Sequence, residues 1–292
     1  MRIYIMTDLE GVAGVLDSKN WCFEEGRYYS KARELLTMEV NAAIEGFLAG
    51  GAAEFLVADG HGPGAIDVNM LHPRAEFSRN WPSALTGFSL TEGKFDFAAW
   101  IGQHPMAGTV GGHLTHTGNM GVVEQTVNGI PVGEFGDLVL TASELGIRTI
   151  LGTGCEAFCR EAQALVPGIE TVAVKRGTQT TPGNHLPKDA YREHNKAAIH
   201  IHPEEARRRI KAGAQRAVER AQKEDFGLVE LPEPPYTRIR IIRGDSENPP
   251  RIIRQTHPGS ILEMHNAPFT LQELEINPAD PKIQKLASKK KK

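Results

Sequence analysis

Three short apolar segments near the start of the chain constrain its fold most strongly. They cover residues 2–7, 54–58 and 97–101, and each is followed at once by glycine together with acidic or histidine side chains. Between the first two lies a helical pattern over residues 30–49, which ends at Gly50-Gly51. Strands that alternate with helices predict a parallel sheet, and loops at the carboxyl ends of parallel strands converge at one edge. Functional side chains are therefore expected along that edge.

The alternation of strands and helices continues as far as residue 174. Asn128-Gly129 lies between two apolar segments and predicts a β-hairpin, because this dipeptide favours a two-residue primed turn. The other predicted elements are helices over residues 134–145, 156–165 and 203–224 and strands over residues 149–151, 170–174 and 237–242. In the last strand arginine alternates with isoleucine, which predicts one exposed and one buried face. The whole pattern predicts an α/β fold, a layered, mostly parallel sheet with flanking helices.

The part of the chain after about residue 185 has a less regular pattern. We predict an α/β metal-binding catalytic domain over residues 1–185 and a smaller C-terminal α+β subdomain over residues 186–282. Residues 283–292 end in consecutive lysines and are predicted to be a flexible basic tail rather than a binding patch.

The composition excludes several functional classes. With 33 basic and 36 acidic residues the net charge is −3, so neither a nucleic acid nor an anionic membrane is an expected partner. The first apolar segment is too short for a signal peptide, and no segment approaches the length of a membrane span. Three cysteines, Cys22, Cys155 and Cys159, are too few for a disulfide framework, which predicts a reducing, cytoplasmic location. We expect Cys155 and Cys159 to be buried and inert.

Five side chains at the ends of the predicted elements could bind metal ions: Asp8, Glu10, His61, His104 and Glu134. They offer nitrogen and oxygen without a thiolate, a mixture that suits hydrolytic zinc better than structural zinc. Three carboxylates and two imidazoles exceed what one four-coordinate zinc with an open position needs. The set therefore predicts two cations with one bridging carboxylate.

Taken singly, these residues also have simpler explanations. Asp8 and Glu10, expected on the same side of an extended chain, could be solvated acids or helix caps. His61 could be a surface residue of a glycine-rich loop. Glu134 opens a predicted helix, where a carboxylate is favourable without any metal.

A second pair of imidazoles, His113 and His116, lies in a segment rich in glycine and threonine. The two residues are three positions apart, so in an extended chain they face opposite sides and only one of them would reach the site. A free imidazole there could act as general base, nucleophile or oxyanion stabiliser. The alternative is that both are surface residues of a loop.

Five segments of the chain resemble the motifs of one known family. In chain order they are residues 7–14 (TDLEGVAG), 58–62 (ADGHG), 102–109 (GQHPMAGT), 114–117 (LTHT) and 128–136 (NGIPVGEFG). Their order and spacing are similar to those of the zinc-dependent D-aminopeptidases of peptidase family M55.

The resemblance implies a dizinc aminopeptidase that acts on short peptides with an N-terminal D-amino acid, such as D-Ala-D-Ala. It implies that the five side chains named above bind the two zinc ions, with Asp8 as the bridge, and that His116 is the catalytic nucleophile. It also implies a homodecamer of two stacked five-membered rings, whose inner channel admits only small peptides.

The chain also departs from the family pattern. Cys155-Glu156 stands where the family has a pair of aspartates, residues 178–202 are longer and differently composed, and the sequence from His265 onward diverges. Two alternatives stay open: a dimetal hydrolase of another amide or ester bond, and a non-catalytic, ring-forming binding protein with structural metal ions. No basic residue stands beside the ligand motifs, which argues against a phosphate substrate.

Overall fold

A computed structural model of the chain describes residues 1–81, 89–244 and 248–273, which form two β-sheets with helices around them. The larger sheet contains β1 (Arg2–Thr7), β2 (Glu54–Asp59), β3 (Ala75–Ser78), β4 (Phe97–Gln103), β7 (Arg148–Cys155), β8 (Glu170–Gly177) and β9 (Ala198–His200). The smaller sheet contains β5 (Val122–Val127), β6 (Ile130–Pro131), β10 (Tyr236–Ile242), β11 (Arg251–His257) and β12 (Thr270–Glu273). The helices are α1 (Ser18–Trp21), α2 (Tyr29–Ala49), α3 (Glu134–Glu144), α4 (Glu156–Leu165), α5 (Lys188–His194), α6 (Pro203–Ala221) and α7 (Ile261–Met264).

The larger sheet has the spatial order β3-β2-β1-β4-β7-β8-β9, and of its described strands only β8 and β9 pair antiparallel. The chain builds outward from β1 to β2 and β3 on one side, and from β4 to β7 and β8 on the other. The direction of winding therefore reverses between β1 and β4. In open α/β sheets such a reversal leaves a crevice at the carboxyl ends of the two strands, and ligands bind there.

Helices cover both faces of the larger sheet, which confirms the predicted layered α/β fold. On one face α2 and α6 pack closely at Gly46, where a Cβ atom would lie 2.1 Å from the carbonyl oxygen of Lys211. On the other face α3 and α4 cover the ring of Trp100, which makes edge-to-face contacts with Tyr4 and Phe135. Strands covered on both faces need apolar side chains throughout, and β4 is buried along its whole length.

The smaller sheet is antiparallel, with the order β12-β11-β10-β5-β6. β5 and β6 form the predicted hairpin, and Asn128 and Gly129 at its turn both have positive φ, as a type I′ turn requires. Beside this sheet, Val127 packs with Leu140 of α3 and Met264 of α7. Since α3 also covers the larger sheet, this helix contributes to the cores of both sheets.

The chain crosses between the two sheets more than once. β5 and β6 precede residue 185 but belong to the smaller sheet, whereas β9 and α6 follow it and join the larger sheet and its core. The division into residues 1–185 and 186–282 stays a prediction, and the predicted tail, residues 283–292, lies outside the described residues. In the described part of the chain, no helix has both the length and the apolar character that crossing a bilayer requires.

Candidate metal centre

The predicted ligands meet at the crevice between β1 and β4. Asp8 and Glu10 follow β1, and His104 follows β4. The amide of Asp8 donates to the carbonyl of Ile101 at 2.9 Å, which holds the two loops together. Gly102 has a φ of +80°, and a Cβ atom there would lie 2.1 Å from the carbonyl oxygen of Asp8. Only glycine permits this close approach of the two loops.

The local geometry of Asp8 and Glu10 differs from the prediction. The expectation of an extended chain is wrong, because β1 ends at Thr7 and residues 9–11 turn, with Asp8 Oδ1 accepting from the amide of Leu9 at 2.8 Å. Both carboxylates are buried and both lie 3.1 Å from Nδ1 of His61, which follows β2. The turn therefore places both carboxylates beside the same histidine.

Asp8 lies at the centre of the cluster, because its two carboxylate oxygens face different histidines. Oδ1 is 3.1 Å from Nδ1 of His61, and that nitrogen is also 3.1 Å from Oε2 of Glu10. Oδ2 is 3.1 Å from Nε2 of His104, and that nitrogen is 3.5 Å from Oε2 of Glu134. The structure thus brings all five predicted ligands together, in two halves that share Asp8.

Both histidines predicted as ligands turn one ring nitrogen toward the carboxylates and bond the other to a backbone carbonyl. Nε2 of His61 lies 2.8 Å from the carbonyl oxygen of Cys22, and Nδ1 of His104 lies 2.9 Å from that of Pro105. Because a carbonyl only accepts, each of these nitrogens carries the proton and donates. When the ring is neutral, as it is in a metal-binding histidine, the opposite nitrogen presents its lone pair on the side of the carboxylates.

His116 reaches the cluster, whereas His113 does not. The ring of His116 stacks on that of His104 with centroids 3.9 Å apart, and its Nε2 lies 3.7 Å from Oε1 of Glu134. Nδ1 of His116 donates to the carbonyl of Leu114 at 2.9 Å, so Nε2 is the nitrogen that carries the lone pair in the neutral ring. His113 is fully buried in another part of the loop. Of the pair, only His116 lies beside the cluster, and its role there stays a prediction.

The electrostatics of the cluster require positive charge at its centre. Burial opposes ionisation of His61, but the charge of Glu10 and the hydrogen bond of Asp8 raise its pKa well above the ordinary value. Burial likewise opposes ionisation of Glu134, but the charge of His104 lowers its pKa to about 2. Bound protons or bound cations can supply this positive charge, and cations satisfy acids and lone pairs that face one another at 3 to 4 Å.

The donor set fits zinc. Oε2 of Glu10 and Nε2 of His104 are buried, and among the described residues they face only other members of the cluster, without forming a well-aligned hydrogen bond. Within two groups the donor atoms lie within 4.8 Å of one another: Asp8, Glu10 and His104, and His104, His116 and Glu134. Imidazole and carboxylate without thiolate is the mixture found at catalytic zinc. Which of these residues hold an ion stays a prediction.

Comparison with known proteins gives this cluster its family context. The model of the peptidase M55 family, described as D-aminopeptidase, matches residues 1–246. The chain belongs to the M55 family. A curated relative, the D-aminopeptidase of Bacillus subtilis (strain 168), is 31% identical over 180 residues, which are 60% of this chain and 64% of the relative. The match thus spans just under two thirds of that relative's length.

A solved structure resembles the fold of this M55 chain. It is that of the Zn-dependent D-aminopeptidase DppA from Bacillus subtilis, described as a self-compartmentalizing protease. The TM-score is 0.73, the sequence identity is 22%, and the match covers 91% of this chain and 94% of the other. At this identity the likeness shows the fold, while the family model shows membership of M55.

A cavity of about 500 Å³ opens beside the cluster of this M55 chain, a size typical of small-ligand sites. Four basic residues line it: Lys188, Arg192, Arg238 and Arg240. Basic residues therefore do lie near the predicted ligands, and the sequence-based expectation that none does is wrong. Sequence inspection missed these side chains because α5 and β10 are distant from the motifs along the chain and approach them only in the folded protein.

The arginines of β10 show that the inner face of this strand is the polar one. Arg238 and Arg240 are two residues apart and both line the cavity. Arg238 is 7% exposed, whereas Ile239 and Ile241 on the other face are only half-buried. The alternating pattern is correct, but the identity of the buried face is the reverse of what polarity alone would suggest.

Two further basic residues donate to backbone carbonyls of the loops that carry the cluster. Nη1 of Arg79 donates to two carbonyls of the loop 59–62 at 2.7 Å each, and Nη2 donates to a third, which fixes the loop that carries His61. Lys175 is fully buried and donates to the carbonyl of Val15 at 3.2 Å; burial lowers its pKa to about 8. Lys175 lies near the carboxyl end of a predicted strand, and that position could have marked it as a residue close to the site. Arg79 follows β3, a strand that the sequence pattern did not predict.

Proposed function

We propose that this chain is a dizinc aminopeptidase that removes the N-terminal residue from short peptides, in particular peptides that begin with a D-amino acid, such as D-Ala-D-Ala. The observation that carries the proposal is the position of Asp8, whose two oxygens face two different histidines. Glu10 and His61 would hold one ion and His104 and Glu134 the other, with Asp8 shared. Membership of M55 and the name of the Bacillus relative support a peptide substrate with a D-residue.

When bound, the two zinc ions would polarise the scissile carbonyl and lower the pKa of water. The residues of the chain orient the reactants around them. Glu134 is the first residue of α3 and accepts from the amide of Gly118 at 2.6 Å, so its charge is held at a helix N-terminus beside His116. We assign the catalytic role to His116, which presents the lone pair of Nε2 at the edge of the cavity.

Replacing His116 with asparagine tests this assignment. If His116 acts in the chemical step, turnover of D-Ala-D-Ala should fall by at least about 100-fold, the usual contribution of a positioned nucleophile or base. The zinc content should stay at the wild-type level, because the five ligands are intact. A loss of only a few-fold with zinc retained would remove His116 from the chemical step.

The assembly of the chain belongs to the same proposal. The Bacillus structure with a similar fold is described as self-compartmentalizing, which supports a homo-oligomer, and we propose a decamer of two stacked rings. Light scattering on the purified protein tests it against the 32.0 kDa of one chain. We also propose a cytoplasmic location, which the three buried, unpaired cysteines support.

The experiment that tests the function is amine release from D-Ala-D-Ala and from L-Ala-L-Ala by protein of known zinc content, with and without a chelator. We expect cleavage of the D-peptide that the chelator abolishes. Cleavage of neither peptide by the zinc-loaded protein would contradict the proposal. If esters and other amides are also left intact, the non-catalytic binding protein becomes the better account.

A second candidate is a dimetal hydrolase of a phosphate ester. The four basic residues around the cavity favour it, because arginine and lysine hold phosphate oxygens well. A peptide carboxylate satisfies the same side chains, and membership of M55 favours the peptide. Hydrolysis of p-nitrophenyl phosphate without amine release from D-Ala-D-Ala would decide for the second candidate.

A further inference from the structure

We propose that Arg240 binds the free C-terminal carboxylate of the substrate, so that the site selects short peptides with a free C-terminus over amidated ones. The inference rests on the proposed peptidase function and adds a specificity-determining residue to it. It starts from the charges along the part of the cavity wall that β10 forms.

The first arginine of this wall is fully engaged within the protein. Nη1 of Arg238 donates to Oδ2 of Asp137 at 3.0 Å and also lies 2.7 Å from Nδ1 of His265. The other side of the guanidinium donates to Oε1 of Gln255. With 7% of its surface exposed, Arg238 has little capacity left for a ligand. Its partners instead make it part of the scaffold that holds its neighbour, Arg240.

Arg240 is held in place but keeps donors for a ligand. Its Nε donates to Oε1 of Gln125, and Gln125 in turn donates to Oδ2 of Asp137 at 2.9 Å. Nη2 of Arg240 lies 3.9 Å from that oxygen, beyond hydrogen-bond distance. Within residues 1–81, 89–244 and 248–273, no acceptor is bonded to either Nη atom, and 23% of the side chain is exposed. A pre-oriented guanidinium fork of this kind suits a carboxylate.

The charges of this wall do not cancel. Asp137 is one carboxylate that faces two guanidinium groups, Arg238 at 3.0 Å and Arg240 at 3.9 Å. Asp137 therefore cannot neutralise both, and Arg240 is the farther and the more exposed of the two. The other basic residues of the cavity are less suited, because Lys188 is exposed and Arg192 already donates to Asp189 at 3.1 Å.

Arg240 is near enough to the cluster for one small substrate to contact both. Glu134 and Asp137 are three residues apart in α3, so their Cβ atoms are about 5–6 Å apart on one face of the helix. Nη2 of Arg240 lies 3.9 Å from Oδ2 of Asp137, and Arg240 and Glu134 line the same cavity. A short peptide bound at the cluster can therefore place its free C-terminal carboxylate at Arg240.

The first test uses the wild-type protein with D-Ala-D-Ala and its C-terminal amide. Loss of a charged hydrogen bond lowers affinity by about 10- to 100-fold, so we expect kcat/KM for the amide to be lower by that factor, mainly through KM. Equal kcat/KM for the two would overturn the inference and leave the peptidase function standing, whereas cleavage of neither would contradict the function itself.

The second test removes the guanidinium. Arg240→Gln should lower kcat/KM for D-Ala-D-Ala by the same factor and leave kcat/KM for the amide unchanged, and Arg240→Lys should recover part of the loss. Arg216→Gln, on an exposed residue of α6 that pairs with Glu170, is the matched control and should change neither value. Equal losses of Arg240→Gln on both substrates would show a structural role and overturn the inference.

Two further readouts keep this test independent of turnover and of folding. Calorimetry with the reduced-amide analogue of D-Ala-D-Ala should show the same 10- to 100-fold weaker binding to Arg240→Gln as the kinetics. Arg240→Gln should also retain the zinc content of the wild type. If the variant instead loses hydrolysis of p-nitrophenyl phosphate and keeps D-Ala-D-Ala cleavage, the arginine serves a phosphate and the inference fails.

Discussion

Glu39 should give the stability of this fold a pH dependence that one substitution removes. Its carboxylate is fully buried on α2 and accepts from the amide of Ala13 at 2.9 Å, in the loop that continues from Asp8 and Glu10. Burial raises its pKa to about 7, although the Ala13 amide and the charge of Lys175 act in the opposite direction. The folded protein therefore binds this proton more tightly than the unfolded chain does.

The sign and size of the effect follow from proton linkage. A raised pKa contributes stability that is fully present below the unfolded value of 4.5 and is lost as the pH rises through about 7. At 1.36 kcal/mol for each pH unit, the whole effect is about 3 kcal/mol. Glutamine keeps an oxygen for the Ala13 amide but cannot ionise. The free energy of unfolding of Glu39→Gln, relative to wild type, should therefore rise by about 2 kcal/mol between about pH 5 and about pH 7.5.

Urea unfolding at the two pH values, at fixed zinc and protein concentration, measures this difference. Comparing two pH values cancels any constant effect of the substitution on packing. Glu34→Gln, on the exposed face of the same helix, is the control and should show no such rise. A difference between Glu39→Gln and wild type that is the same at both pH values would refute the argument from burial.

Three further substitutions test other parts of the structure. Arg79→Met removes three hydrogen bonds to the loop that carries His61 and should weaken zinc binding by about 10- to 100-fold in competition with a chelator; unchanged affinity would exclude a supporting role. Trp100→Ala empties the centre of an aromatic cluster and should cost about 3–5 kcal/mol in urea unfolding, and a cost under about 1 kcal/mol would show that the site is not close-packed. Asp8→Asn should lower the zinc content, measured by mass spectrometry, more than Glu10→Gln does, because Asp8 faces both halves of the cluster; equal losses would argue against a shared position.

Local sequence signals were sufficient for most of the larger sheet and for the members of the cluster. The apolar segments that form β1, β2 and β4 need only their own composition to be recognised, because strands buried on both faces are apolar throughout. The residues after them converge because the strands are parallel. Asn128-Gly129 likewise specifies its hairpin through its own backbone preference.

Contacts between residues far apart in the sequence determine the features that the sequence pattern did not predict. The alternation of Arg238 and Ile239 in β10 marks two faces, but the choice of the inner face depends on partners far away in sequence. Asp137 and Gln125 accept from the guanidinium groups that are turned inward, and without them the isoleucine face would be the one to bury. The return of β9 and α6 to the larger sheet has the same origin, since neither shows in its own pattern which sheet it joins.

Zinc stoichiometry of the purified chain, followed together with D-Ala-D-Ala turnover as a chelator is added, tests the central claim most directly. The account predicts two zinc ions per chain, loss of turnover as they are removed, and recovery when zinc is returned. One ion per chain, or full turnover by zinc-free protein, would contradict a two-ion centre built around Asp8.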